Sequence, residues 1–351
     1  MAHLFGTGVE MGSLTVFGSL RDSPSLNTST VRTGVYSMYA PATGGAIVTV
    51  PYCSALQLGV GVYPTANAST GSGMVANIVG IQNIEGVLVV GAGFDPGTNA
   101  LIAFLVQDGA YNYSVIGYGP LMPLNNWYYV ELVASAVTVG DVTTVTVAVY
   151  LDGVQVISGS DNTTVNNAGY WLYTGFGRCG GSFNASQRSV VGFYDDFKVN
   201  DTNGVFNSGR VGRGGFHWVP VTGVGAVTEF TPSIEADNYT MVDEVPANDD
   251  TDYVFTDAAN QIDTYKVTIP EGAIGNVSSA IWWAQARTIE SGGGNIAPVL
   301  RIDGINHVAG QKGLDVTYRY VGHVYSVNPA TSQPWTLDDL AGIEVGQKSI
   351  G

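Results

Sequence analysis

Between Trp127 and Ser158 the chain alternates apolar and polar positions with a period of two. From Thr144 to Leu151, Val145, Val147, Val149 and Leu151 fall on one side, and Thr144, Thr146, Ala148 and Tyr150 on the other. That is the signature of a strand with one buried face. Upstream, Tyr128, Val130, Leu132 and Ala134 alternate with Tyr129, Glu131 and Val133. Downstream, Asp152-Gly153 sits between apolar runs, a strong hairpin signal. The pattern predicts three antiparallel strands, joined by residues 135–143 and by a tight turn.

Shorter apolar runs at 5–17, 32–39, 46–51, 54–62, 74–81, 87–92 and 101–106 read as further strands. Residues 64–73, 159–169 and 177–187 are polar and turn-rich, and read as loops. The run Val190–Val199 closes a first domain. Residues 200–225 are rich in Gly and Asn, which places a boundary near Asn203. The domains expected are 1–202 and 203–351, with 203–228 as a linker or a strand crossing between them. The second domain has strand patterns at 253–255, 264–269, 279–287, 299–302 and 316–327. Thr336-Leu-Asp-Asp339 is a capping box, with Thr336 as N-cap. It predicts one short helix running through Leu340 and ending near Gly342 or Gly346. The fold class expected is all-β.

Composition agrees with that class. The 351 residues include 47 Gly and 19 Tyr, and only 12% are charged, about half the usual share. A surface covered by Thr, Ser, Asn and Tyr resists association poorly and suits a protein that sits against neighbours. The net charge is −16, from 13 basic and 29 acidic residues. Phosphate neutralisation needs the opposite balance, which argues against nucleic acid and against an anionic membrane surface. No apolar run is long enough to span a membrane. The N-terminus shows no secretory pattern, so a cytosolic start is expected.

Candidate chemistry is sparse. The first 202 residues hold only three glutamates, Glu10, Glu85 and Glu131, with no close pair of the glycosidase kind. Glu131 reads as an exposed strand residue. Adjacent acids on a strand face opposite ways, so Asp195 and Asp196 need a bend before both can reach one calcium ion. The stronger reading gives one of them a backbone-bonding role at the sheet edge. Asp243, Glu244, Asp249, Asp250 and Asp252 lack the EF-hand spacing and read as a solvated loop, with calcium at Asp249, Asp250 and Asp252 as the lesser reading. His3, His217, His307 and His323 stand in no catalytic or metal motif, and Gly292-Gly-Gly294 lacks a phosphate-loop Lys. Of the adjacent Trp282 and Trp283, one is expected in the core and the other on the surface or at an interface; these and Trp335 read as packing, with stacking on sugars as the lesser reading. Two cysteines, Cys53 and Cys179, are too few for a disulfide framework or a four-ligand zinc site. Cys53 reads as a buried small hydrophobe, and a Cys53–Cys179 bridge is the less favoured alternative. No catalytic, cofactor or firm metal residue is assigned.

Several stretches together resemble a known family. Leu4–Leu14, Arg32–Met38, the segments Trp127–Leu132 and Val147–Gly153, and Gly192–Asp201 resemble concanavalin A-like (laminin-G-like) jelly rolls of bacteriophage structural proteins. Phe230–Ser233, Asn238–Val254, Ala297–Gly304 and Asn328–Gly346 resemble the domain that often follows in those proteins. The resemblance implies a jelly-roll sandwich followed by a smaller β-sandwich. It further implies a virion component, a head decoration or cement protein or a tail-associated part. Such a protein would bind major capsid or tail subunits, assemble as a homo-oligomer and catalyse nothing. A carbohydrate-binding or host-adsorbing module is the alternative. No calcium or sugar ligands of the family carry over to positions of this sequence.

Overall fold

The computed structural model describes residues 3–68, 75–108, 112–179, 188–203, 206, 208–269, 276–289 and 293–350. The expected loops at 64–73 and 177–187 and the Gly292–Gly294 turn thus fall partly outside the described residues. The chain divides into two compact units. One comprises Met1–Glu10 and Phe17–Phe216; the other comprises Met11–Val16 and His217–Gly351.

The first unit is a two-layer β-sandwich of jelly-roll type. Its strands are β1 (His3–Thr7), β2 (Ser19–Arg21), β3 (Ser25–Asn27), β4 (Ser37–Ala40), β5 (Gly45–Cys53), β6 (Ala55–Asn67), β7 (Ala76–Asn83), β8 (Leu88–Phe94), β9 (Ala100–Val106), β10 (Tyr113–Leu121), β11 (Tyr128–Val139), β12 (Val142–Leu151), β13 (Val154–Thr163), β14 (Trp171–Gly177) and β15 (Arg188–Asp201). One sheet runs β13–β12–β11–β6–β15, with β1 and β4 on the far side of β15. The other runs β10–β9–β8–β7–β14–β5–β2. The two join where Arg188 and Ser189 pair in parallel with Ala76 and Asn77; the other pairings are antiparallel.

Alternation builds the core. Leu56, Leu58, Val60 and Val62 of β6, Val130, Leu132 and Ala134 of β11, and Val145, Val147 and Val149 of β12 are all buried on the inner face. The predicted three strands form, but they are longer than the pattern suggested. The segment 135–143 is no loop, because β11 and β12 stay paired to Val139↔Val142 and turn only at Gly140-Asp141. At the other end Asp152 and Gly153 both take positive φ, as the predicted tight turn requires. β13 likewise runs to Thr163, into the expected loop. The predicted strand at 32–39 begins only at Ser37, because Gly34 (φ +66°) breaks the extended path.

One feature goes against simple alternation. The outer face of β6, β11 and β15 is also buried at its centre, at Gln57, Tyr129, Glu131, Asp196, Lys198 and Asn200. Residues 208–216, read from sequence as part of a linker, belong to this unit and cross that face as a strap. The Gln57 side-chain amide donates to the Ser208 carbonyl at 2.9 Å. Gly59 is the close-approach point: a Cβ there would lie 2.5 Å from both the Tyr129 hydroxyl and Val211 Cγ2.

The second unit has strands β16 (Val221–Thr228), β17 (Thr231–Pro232), β18 (Val254–Phe255), β19 (Ile262–Val267), β20 (Ala280–Ala286), β21 (Asn295–Ile302), β22 (Ile305–Val308), β23 (Lys312–Gly313), β24 (Arg319–Tyr325) and β25 (Glu344–Ile350). A sheet of order β16–β19–β25–β21–β22 and the β20–β24 pair enclose Trp282, Ile296, Leu300, Ile302, Val321, Tyr325, Trp335 and Ile343. The predicted helix is only a 3-10 turn, Asp338–Leu340. Its capping box does form, with Asp339 N–H donating to Thr336 Oγ1 at 3.2 Å and Thr336 N–H to Asp339 Oδ2 at 2.7 Å. Gly342 at φ +73° then redirects the chain into β25, so sheet pairing takes the residues a second turn would need. A second 3-10 turn, Asn238–Met241, had no sequence signal.

Replacing Gly59 with Ala is expected to destabilise the first unit by about 1–3 kcal/mol through overpacking. Denaturant unfolding measures it, and adding Val211→Ala and Tyr129→Phe should recover part of the loss.

Candidate functional site

The densest group of buried ionisable side chains lies beneath the strap. Its origin is a β-bulge. Between Asp195 and Lys198 the pairing of β15 with β6 slips, and Asp196 takes φ +52°. This is the bend that two adjacent acids need to act on one place. They use it to hold the segment Arg32-Thr33. Asp195 Oδ2 accepts the backbone N–H groups of Arg32 (2.9 Å) and Thr33 (3.2 Å), and its Oδ1 accepts the N–H of Asp196 (2.7 Å). Asp196 Oδ1 accepts the Thr33 hydroxyl (2.6 Å) and the Phe216 N–H (2.7 Å), while its Oδ2 pairs with the Arg32 guanidinium. Arg32 also donates to the Gly214 carbonyl at 2.7 Å and lies 4.8 Å from the Tyr129 ring centroid.

Glu131 repeats the arrangement further along the strap. It is fully buried, which corrects its reading as an exposed strand residue. Its Oε1 pairs with Arg210 at 2.6 Å, and its Oε2 accepts the Gly212 N–H at 3.0 Å. The Arg210 guanidinium covers the Tyr150 ring at 3.7 Å, and Lys198 Nζ stands 5.4 Å from the Phe216 ring. Each cation thus has an aromatic face as well as an anion nearby.

Burial sets the proton affinities. It pushes Asp195 upward, reinforced by the Asp196 charge, against the pull of the three N–H donors. It pulls Lys198 downward and takes His3 down to about 4, so His3 is neutral near pH 7. Glu10 is raised to about 7, chiefly by burial. Its Oε2 accepts the Val35 N–H at 2.7 Å while Oε1 is buried with no partner. Gly34 makes room for it, since a Cβ there would lie 2.2 Å from the Glu10 carboxyl carbon.

The other sequence candidates do not join this cluster. Asp250 pairs with Arg287 at 2.8 Å and accepts the Tyr318 hydroxyl at 2.9 Å, on the surface of the second unit. Asp249 takes φ +58°, and Asp252 lies beside Glu244, whose proton affinity rises with burial and with that neighbour. Among the described residues no three His, Cys, Asp or Glu side chains are grouped to hold a metal ion. Trp282 is buried, and Trp335 donates its indole N–H to the Tyr325 carbonyl at 2.7 Å. Trp283 faces the other way, its ring lying over Gly322. Cys53 and Cys179 are both free thiols. Cys53 is only half-buried, because it lies at the end of β5, and burial raises Cys179 to about 12. In the second unit, Asp263 accepts the N–H groups of Glu229 and Phe230 and the Tyr265 hydroxyl, a buried anchor that sequence reasoning missed.

No family model matches the chain, and no curated protein matches it. Among solved structures it is similar to alginate lyase Aly36B, at 14% identity and TM-score 0.30, over 51% of this chain and 86% of that one. It is also similar to the botulinum neurotoxin type G receptor binding domain, at 10% identity and TM-score 0.34, over 83% of this chain and 77% of that one. Likenesses of this size carry no argument about residues or chemistry. The class is defined by the sheets themselves: an all-β protein whose first unit is a jelly-roll-like sandwich.

Removing one partner of a buried ion pair leaves the other charge uncompensated, at a cost of about 3–5 kcal/mol. Asp196→Asn is expected to lose stability in that range in urea unfolding, and Arg210→Ala less, because Arg210 is about one-third exposed. Glu10 gives a signed pH dependence. Its carboxyl is raised from an ordinary 4.5 to about 7, so between those values the folded protein keeps a proton that the unfolded chain has released. Its contribution is full below about pH 4.5 and is lost as pH rises through 7. Comparing Glu10→Gln with the parent from pH 4 to 8 should show the variant gaining relative stability as pH rises.

Proposed function

We infer that this chain is a non-enzymatic assembly protein that makes subunit contacts within a bacteriophage particle, as a head decoration or tail-associated component. The single observation that carries the assembly reading is the surface left beside the strap. The outward-facing residues of β11, β12 and β13 beyond it are Val133, Ser135, Val137, Val139, Val142, Thr144, Thr146, Ala148, Ser158, Ser160 and Asn162. None is charged, on a chain of net charge −16. Val137 and Val139 are 64% and 77% exposed, although both lie within a regular ladder. An uncharged sheet face with exposed valines is suited to association, and it is where an acidic molecule meets another with least repulsion. The buried acids of the sheet face are consistent with that reading, since the oxygens of Asp195, Asp196 and Glu131 are taken up by backbone N–H groups, the Thr33 hydroxyl and two guanidinium groups. The phage setting rests on the sequence resemblance alone.

Light scattering across a concentration series tests the assembly reading. Oligomers are expected for the parent chain, and a shift to monomers for Val137→Asp combined with Val139→Asp. A monomer at about 100 μM, a range in which even weak specific contacts form, would contradict it. Adding the protein to phage particles that lack it tests the setting, with saturable attachment expected.

A further inference from the structure

Three buried carboxyl groups from two parts of the chain converge on one short segment, Arg32–Val35. Asp195 holds the Arg32 and Thr33 N–H groups, and Asp196 holds the Thr33 hydroxyl and the Arg32 guanidinium. Glu10, which follows β1, holds the far end, where its Oε2 accepts the Val35 N–H at 2.7 Å. The same segment steadies the end of the strap, because Arg32 donates to the Gly214 carbonyl and Asp196 also accepts the Phe216 N–H. Glu10 and Phe216 are, in turn, residues after which the chain leaves the first unit.

Glu10 is the least satisfied of the three. It is only 4% exposed, and its Oε1 is buried with no hydrogen-bond partner. That oxygen borders the space beside Gly8, and so does Asp195 Oδ1: a Cβ on Gly8 would lie 3.3 Å from the first and 3.4 Å from the second. The Asp196 charge acts on Glu10 as well. The cations of the neighbouring elements are committed elsewhere. Arg32 is paired with Asp196, and Lys198 of β15 stands 5.4 Å from the Phe216 ring. His3 of β1 is neutral near pH 7, and the strap end Gly214–Phe216 carries no charge. Among the described residues no ion pair includes Glu10.

We propose that Glu10 is a proton-operated latch. Carrying its proton, it closes the Arg32–Val35 segment and steadies the strap end; without the proton, the carboxylate withdraws to water and both loosen. A neutral carboxyl suits a buried place with one unpartnered oxygen and two anions nearby, whereas a carboxylate there lacks compensation. Gly34, at φ +66°, lets the chain wrap the carboxyl, since a side chain at that position would collide with it. The direction of the switch follows from burial, which raises Glu10 from an ordinary 4.5 to about 7. In the open form Glu10 binds its proton with the ordinary affinity. The closed form is therefore favoured fully below about pH 4.5, and progressively less as pH rises through 7. From about pH 5 to about pH 8 that difference raises the open-to-closed ratio by on the order of a hundredfold. The latch does not depend on the subunit-contact reading; it sets how firmly the first unit holds its own strap.

Amide hydrogen exchange of the full chain, followed by NMR at about pH 5 and about pH 8, tests it, with each rate divided by the unstructured-chain rate at that pH. In the parent the protection of the Val35 N–H is expected to fall on the order of a hundredfold between the two conditions. The Phe216 N–H keeps its Asp196 acceptor and should lose protection to a smaller extent. Glu10→Gln keeps the shape of the neutral carboxyl, and in this variant the fall at both amides should shrink to what Asp195 contributes. Asp195 is present in both proteins, so the difference between them isolates Glu10. Core amides of β11 should behave alike in both, which separates latch opening from global unfolding. Carbon-13 titration of the Glu10 carboxyl needs no variant, and a midpoint near 7 is expected. The latch is overturned if that carboxyl titrates at its ordinary 4.5 or if Val35 is equally protected at both pH values. It is equally overturned if Glu10→Gln loses protection as the parent does, or if Phe216 in the parent is indifferent to pH.

Discussion

A carboxylate taken out of water must be surrounded by donors or lose its charge, and this requirement organises the first unit. Asp195, Asp196 and Glu131 lie on a sheet face that would otherwise be the wet side of the sandwich. Their donors come from two distant places in sequence, Arg32-Thr33 and residues 210–216. Closing the strap over the sheet and satisfying the acids are therefore one event. The glycines of β6 leave the space for it, since side chains at 59 and 61 would collide with Tyr129, Val211 and Arg32.

Buried ion pairs seldom add net stability over a well-packed apolar alternative, but they are demanding about geometry. In this unit they fix which segment covers the sheet and in what register. That is a positional role. It explains how a group of buried acids can exist with its oxygens turned to backbone N–H groups and guanidinium. The uncharged outer face of β11, β12 and β13 lies beside the strap.

The strands were legible because their signal is local. Alternation at 144–151, the Asp152-Gly153 turn and the Trp282/Trp283 opposition follow from a period of two, and a sheet enforces that period. The capping box at Thr336 was legible for the same reason, but the length of its helix was not. The competitor was pairing of β25 with β19 and β21, whose partner residues lie 43 or more positions back in the chain, as for Glu344 with Arg301. Glu131 was misread because the alternation of β11 says which face it lies on and nothing about what covers that face. Arg210, Gly212 and Phe216 supply the cover from a Gly-rich stretch whose composition resembles a linker. The Asp195–Asp196 bulge was half legible: two acids in a strand require a bend to act together, and the bend exists. Its partners at Arg32 and Thr33 are more than 160 residues away and left no trace in spacing.

The central claim, that buried acids fasten residues 208–216 to the sheet, is tested most directly by amide hydrogen exchange in that segment. The Gly212 and Phe216 N–H groups donate to Glu131 and Asp196 and should exchange slowly, at rates approaching those of the β11 core amides. Exchange of these two amides at the rate of an open, unbonded loop would contradict it.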